Sequence, residues 1–233
     1  MKGSPLVMEP LFHAGPVPIT APVIATWGIM AAMMLGSLLV TRRLKLRPGK
    51  AQAAFELVTR ALDRQIADIV QADPAPYRAL IGTIFLFILA ANWSSLIPGV
   101  HPPTSRIETD AALALIVFFA TIWHGIRANG PLGYLRTFAE PSWIMAPLNL
   151  VEQVTRTFSL LVRLFGNVMS GVFVVGIVLS LAGLLVPIPL MALELLTGAV
   201  QAYIFAILST VFIAAAVRDT SQQTEDPQEE TEA

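Results

Sequence analysis

EQVTRTFSLLVRLFGNVMS, residues 152–170, is the stretch on which the reading of this chain depends. Between Arg156 and Arg218 the only charged side chains are Arg163 and Glu194, and almost everything else is apolar. An arginine in such surroundings is costly, at about +2.5 to +3.5 kcal/mol near a bilayer centre on insertion scales. Glu152, Arg156, Ser159, Arg163, Asn167 and Ser170 recur at steps of three and four, so on a helix they form one polar stripe along an otherwise lipid-like surface. That stripe must face protein or water. From the residues alone, Arg163 is either a snorkelling or structural arginine paired with a neighbouring helix, or a functional charge at membrane depth. The apolar turns at 160–162 and 164–166 work against snorkelling.

The whole chain agrees with a membrane setting. Its 233 residues are 55% hydrophobic and only 13% charged, with a mean hydropathy of +0.68, too apolar for a soluble domain of this length. A net charge of -1 without a basic face excludes a nucleic-acid partner. The absence of cysteine rules out disulfides and thiolate metal sites. His13, His101 and His124 lie in or near expected loops without the spacing of a metal site, and read as solvated or interfacial. Neither a glycine-rich phosphate loop nor a nucleophile with a partnered base is present, so no cofactor and no covalent chemistry by the chain itself are expected.

The expected fold is an all-α integral membrane protein. Apolar runs long enough to cross a bilayer core lie at about residues 21–41, 78–97, 110–126, 148–185 and 190–217, five transmembrane helices in one membrane domain spanning 1–217. An amphipathic helix is expected at about 51–72, with Phe55, Val58, Leu62, Ile66 and Ile69 on one face and the charge pairs Glu56–Arg60 and Arg64–Asp68 elsewhere. It is either a cytosolic helix with a solvated face or one lying along the interface. Residues 1–20 read as an irregular lead-in, Asp73-Pro74-Ala75-Pro76 as the end of the amphipathic helix, 98–109 as an outer loop, and 218–233 as a disordered acidic tail. Trp93 reads as an interface anchor, whereas Asn92 inside the second span has no such simple explanation. The basic run RRLKLRPGK at 42–50, with Arg127 and Arg136, marks the cytoplasmic side and puts the N-terminus outside and the C-terminus in the cytoplasm.

From 148 to 185 no proline interrupts, and a helix of that length exceeds a hydrocarbon core of about 30 Å, so strong tilt is expected. Pro187 and Pro189 are expected to make the turn into a last helix carrying Glu194, Gly198 and Gln201 on one face.

The segments LVRLFGN at 161–167 and VQAYIFA at 200–206 resemble subunit a of the F-type ATP synthase, the bacterial stator that feeds ions to a rotating c-ring. PITAPVIATW at 18–27, GTIFLFILAANWSSLIPG at 82–99 and TDAALAL at 109–115 are similar to their counterparts in the cyanobacterial and chloroplast branch, so the resemblance covers most of the chain. It implies that Arg163 is the stator arginine meeting the c-ring carboxylates, on a long tilted helical hairpin facing the ring. It implies an outer half-channel lined by Glu194, Gln201 and Asn167. Ser159, Arg156 and Glu152 then line a cytoplasmic half-channel, or are only interfacial. The other polarised reading of Glu194 is a buried helix-packing glutamate. Val172 is a departure, because many members carry an ionisable residue five positions after this asparagine.

The partners implied are the c-ring, peripheral stalk subunit b, the rest of the ATP synthase complex and membrane lipid, in the bacterial inner membrane. Protons are the implied ion, with sodium as the alternative; a stand-alone secondary transporter is the more distant one.

Overall fold

The computed structural model describes residues 12–14, 17–42, 49–97, 102–139, 144, 146–183 and 186–218. The acidic tail beyond Arg218, part of the basic run and part of the outer loop lie outside the described residues. Five helices are long and apolar enough to cross a membrane, and a sixth is amphipathic, so the chain is an all-α multi-pass membrane protein.

The lead-in is more ordered than expected. Strands β1 (Phe12–Ala14) and β2 (Val17–Ile19) pair antiparallel, with His13 opposite Pro18. Pro18 is tolerated because both strands of a two-stranded ribbon are edges, where a missing N–H leaves no interior ladder broken. Helix α1 (Ala21–Arg42) follows and is apolar all round. Only 6% of its spanning stretch is buried, and Trp27, Met30, Met34 and Leu39 are exposed, as befits a helix whose solvent is lipid.

Helix α2 (Lys50–Val70) is the amphipathic one. Ile66 and Val70 are buried against Tyr77, Ile81, Ile213 and Ala214, and Leu62 is buried on the same face, so the apolar face covers protein. Phe55 stays exposed, away from that seam. Arg60 pairs with Glu56 at 3.1 Å as expected, but Asp63 takes Arg78 of the next helix, and Arg64 and Asp68 form no ion pair among the described residues. Gln71 in the left-handed conformation closes the helix, its N–H donating to the Ala67 carbonyl.

Helix α3 (Ala75–Trp93) starts before the expected residue 78 because its prolines sit in the first turn, where a missing N–H is harmless, and Asp73 accepts the Ala75 N–H at 3.0 Å. A 3₁₀ turn at Pro103–Ser105 leads into α4 (Ile107–Ala139). The stretch expected to be a connection after residue 126 is helical, broken only at Gly130 (φ 72°) before Pro131. The segment after the break folds back: a Cβ on Gly125 would lie 2.5 Å from the Tyr134 ring, so only glycine lets that ring close over α4.

Helices α5 (Ala146–Ala182) and α6 (Pro187–Arg218) form the long hairpin. Gly183 (φ 74°) ends α5, and Pro187 and Pro189 lie in the first turn of α6 rather than forming a turn before it. The 37 residues of α5 extend about 55 Å at 1.5 Å per residue, well beyond a core of about 30 Å. The central helix is α6, with 44% of its span buried against 11% for α5. Its Ala202 and Phe205 meet Ile84 and Ile88 of α3, Leu113, Ala114 and Val117 of α4, and Leu160, Leu164 and Val168 of α5.

Candidate functional site

Two contacts fix the register of the α5–α6 hairpin. At one end Gly171 faces Glu194, so that a Cβ added there would sit 2.7 Å from the carboxylate oxygen. At the other end the Arg156 guanidinium lies over the Phe212 ring, 5.6 Å from its centroid. Arg163 falls about midway between. Along α6 the rise from Glu194 to Phe212 is about 27 Å, close to the thickness of a hydrocarbon core. The hairpin therefore carries Arg163 near the middle of a membrane-sized length.

Leu160, Leu164 and Val168 bury a narrow seam of α5, and the polar stripe runs along its flank. Arg163 is exposed, and among the described residues it makes neither an ion pair nor a hydrogen bond, so the structural-pair explanation finds no partner among them. The large side chains sharing the outward surface of α5, among them Phe158, Val162, Phe173 and Ile177, are apolar and exposed. Asn167 is half-buried, and its carbonyl accepts the Ser170 hydroxyl at 2.9 Å. Gln201 of α6 lies near the level of Arg163, buried at 6% exposure, and its amide nitrogen has no hydrogen-bond partner. A buried amide left open is costly, by about 1–3 kcal/mol. The α5–α6 interface thus keeps unspent polar capacity beside an unpaired cation.

Toward the α5 N-terminus, Glu152 and Arg156 pair with one another one turn apart, and Ser159 is exposed. This group is separate from the Glu194 end, which lies on the opposite side of Arg163 along the hairpin. Val172 is half-buried and packs against the central apolar cluster.

The Glu194 end holds contacts that sequence reasoning did not show. Asn92 of α3 donates to the Gly198 carbonyl of α6 at 2.9 Å and accepts the Thr104 hydroxyl at 2.7 Å, all buried. Gly198 is required there, since its Cβ would lie 3.0 Å from that of Asn92. Trp93 does more than sit at an interface, because its indole N–H donates to the Leu195 carbonyl at 3.2 Å while the ring stays exposed. Asn92 was visible as an amide within an apolar span. Gly198 was placed on the polar face of the last helix, but its contact with Asn92 was not visible, and neither was Thr104, because these partners are distant in the chain. Among the described residues no three His, Cys, Asp or Glu side chains group as a metal site.

The family described as ATP synthase A chain matches residues 23–214. The chain belongs to that family. It is 56% identical over 217 residues to ATP synthase subunit a 2 of a Bradyrhizobium species, covering 93% of this chain and 97% of that one. It is 45% identical to ATP synthase subunit a of Albidiferax ferrireducens, covering 86% of this chain and 87% of the relative. Subunit a 2 of the cyanobacterium Acaryochloris marina is also 45% identical, covering 85% of this chain and 86% of the relative. Full-length similarity to subunit a sets aside the stand-alone transporter. Members of the family are non-catalytic subunits of the ATP synthase.

Proposed function

We propose that this chain is the stator of the membrane sector of a rotary ATP synthase, passing protons to and from the carboxylates of a c-ring through two offset half-channels. The observation that carries the reading is Arg163, exposed on α5 with no partner among the described residues, midway along a membrane-sized hairpin and surrounded by exposed apolar side chains. A guanidinium so held needs an anion supplied from outside the chain. At about 4 Å and an effective dielectric near 20, an Arg163–carboxylate pair is worth roughly 4 kcal/mol before desolvation is subtracted. That favours the ionised rotor site, so each proton leaves as its carboxylate reaches Arg163. The same fixed charge repels a cation moving straight between the half-channels, which forces ions to travel with the ring.

Glu194, Gln201 and Asn167 line the outer half-channel; Ser159, Arg156 and Glu152 line the cytoplasmic one. Support for the division comes from the two groups lying on opposite sides of Arg163 along the hairpin. Each unit charge crossing gains about 2.3 kcal/mol per 100 mV, so several crossings accompany each ATP. The exposed outer surface of α5 fits the c-ring, and peripheral stalk subunit b and the remaining ATP synthase subunits complete the assembly. The N-terminus lies outside and the C-terminus in the cytoplasm of a bacterial inner membrane, as Arg42 at the end of α1 supports.

Arg163→Ala in the assembled complex tests this. ATP-driven proton uptake into inverted vesicles in sodium-free medium should fall to background while the c-ring still co-purifies. Coupled uptake at the parent rate would remove Arg163 from the mechanism, and parent uptake that depends on added sodium would replace the proton.

A further inference from the structure

Asp110 is fully buried, at 0% exposure, and neither of its carboxylate oxygens has a hydrogen-bond partner. It occupies the first turns of α4, where a solvated acidic residue would suit the helix dipole, but it points inward instead. Leu113, Ala114, Val117 and Thr121 continue its buried face at steps of three and four.

The surrounding elements place it in a layer. Ile88, Leu113, Ala114, Val168 and Ala202 share one apolar cluster. One turn further toward the Glu194 end of each helix come Asn92 on α3, Asp110 on α4, Val172 on α5 and Gly198 on α6. Asn92, Gly198 and Thr104 are already joined by hydrogen bonds. One more turn along α6 stands Glu194 against Gly171. The layer beyond the apolar core therefore carries polar side chains on α3 and α4 and a hydrogen-bonded carbonyl on α6, and its α5 member is aliphatic.

A lone charged carboxylate in such a place is prohibitive, so a group that remains there is neutralised by a cation it binds. We propose that Asp110 is an ion-carrying carboxylate of the outer half-channel, binding the transported monovalent cation between Glu194 and the level of Gln201. The inference rests on the stator reading above. The carboxylate takes up the cation arriving by way of Glu194 and releases the same ion toward the level of Gln201, with no bond other than that to the ion made or broken.

The test compares Asp110→Asn with Asp110→Glu in the whole complex, beside Arg163→Ala. Isosteric Asn keeps the packing and removes the charge. ATP-driven cation transport by inverted vesicles should fall at least 10-fold in Asp110→Asn with the c-ring still bound. Asp110→Glu should keep more transport than Asn and, in ATP synthesis driven by a cation gradient from the outer side, shift the half-saturating cation concentration on that side several-fold. Parallel arms, one varying pH without sodium and one varying sodium at fixed alkaline pH, distinguish a proton from a sodium ion as the bound species. Parent-rate transport in Asp110→Asn, equal loss in both variants, or loss of c-ring binding in Asn would overturn the inference. Should Arg163→Ala be uncoupled while Asp110→Asn is normal, the stator reading stands and only this site falls; coupled Arg163→Ala removes the stator reading itself.

Discussion

Gly198→Ala offers a test of how tightly α3 and α6 close over the candidate path. The new Cβ would lie 3.0 Å from the Asn92 Cβ, whereas carbon atoms rest at about 3.5–4.0 Å. Both atoms sit directly on helix backbones, so neither can swing aside, and the helices must part by about 0.5–1 Å. The Asn92–Gly198 hydrogen bond, now 2.9 Å, then stretches beyond the range in which such bonds hold, about 3.2 Å.

Overpacking of this kind costs about 1–3 kcal/mol, and the lost interhelical bond adds roughly 0.6 to 1.7 kcal/mol. Alanine's better helix propensity returns about 1 kcal/mol. The net destabilisation is about 0.6–3.7 kcal/mol, or roughly a 3- to 500-fold rise in local opening. Amide hydrogen exchange in the purified complex, followed in the turns around Asn92 and Gly198, reads that factor directly. In an Asn92→Gly background, which removes the opposing Cβ, the same substitution should leave exchange unchanged or slower. Equal acceleration in both backgrounds, or none in the parent, would refute the close-contact argument.

Two further substitutions separate stability from transport. Gly171→Ala meets only the flexible end of Glu194, 2.7 Å away at its carboxylate oxygen, so exchange protection should hold or improve by up to about 1 kcal/mol; transport should fall several-fold because the carboxylate is pushed off its position. Gln201→Leu removes a buried amide whose nitrogen has no partner, so thermal stability should be unchanged or raised by about 0–2 kcal/mol, while ATP-driven transport drops more than 10-fold. Transport at the parent rate in either variant would take that residue out of the half-channel.

The reasons some features were legible and others not are physical. Helix existence and the polar stripe of α5 are local, periodic properties, readable from Arg163 and its neighbours at three- and four-residue steps. Proline positions misled at two ends, since Pro76 and Pro187 were read as breaks and instead begin helices, a choice that depends on whether the missing N–H falls in the first turn. The helix of α4 runs past its expected end to Gly130, and beyond that break Tyr134 closes over Gly125, a contact between turns that no window of sequence displays.

The amino-acid order alone determined that this is a many-helix membrane protein with one costly arginine at depth, because apolar length and the price of a charge in hydrocarbon are properties of segments. Tertiary structure decided which polar groups belong together. Asn92, Thr104 and Gly198 meet only because α3 and α6 pack face to face. Asp110, at the edge of an apolar run, looks like an ordinary helix-starting acid until the bundle closes around it and leaves both oxygens without a donor.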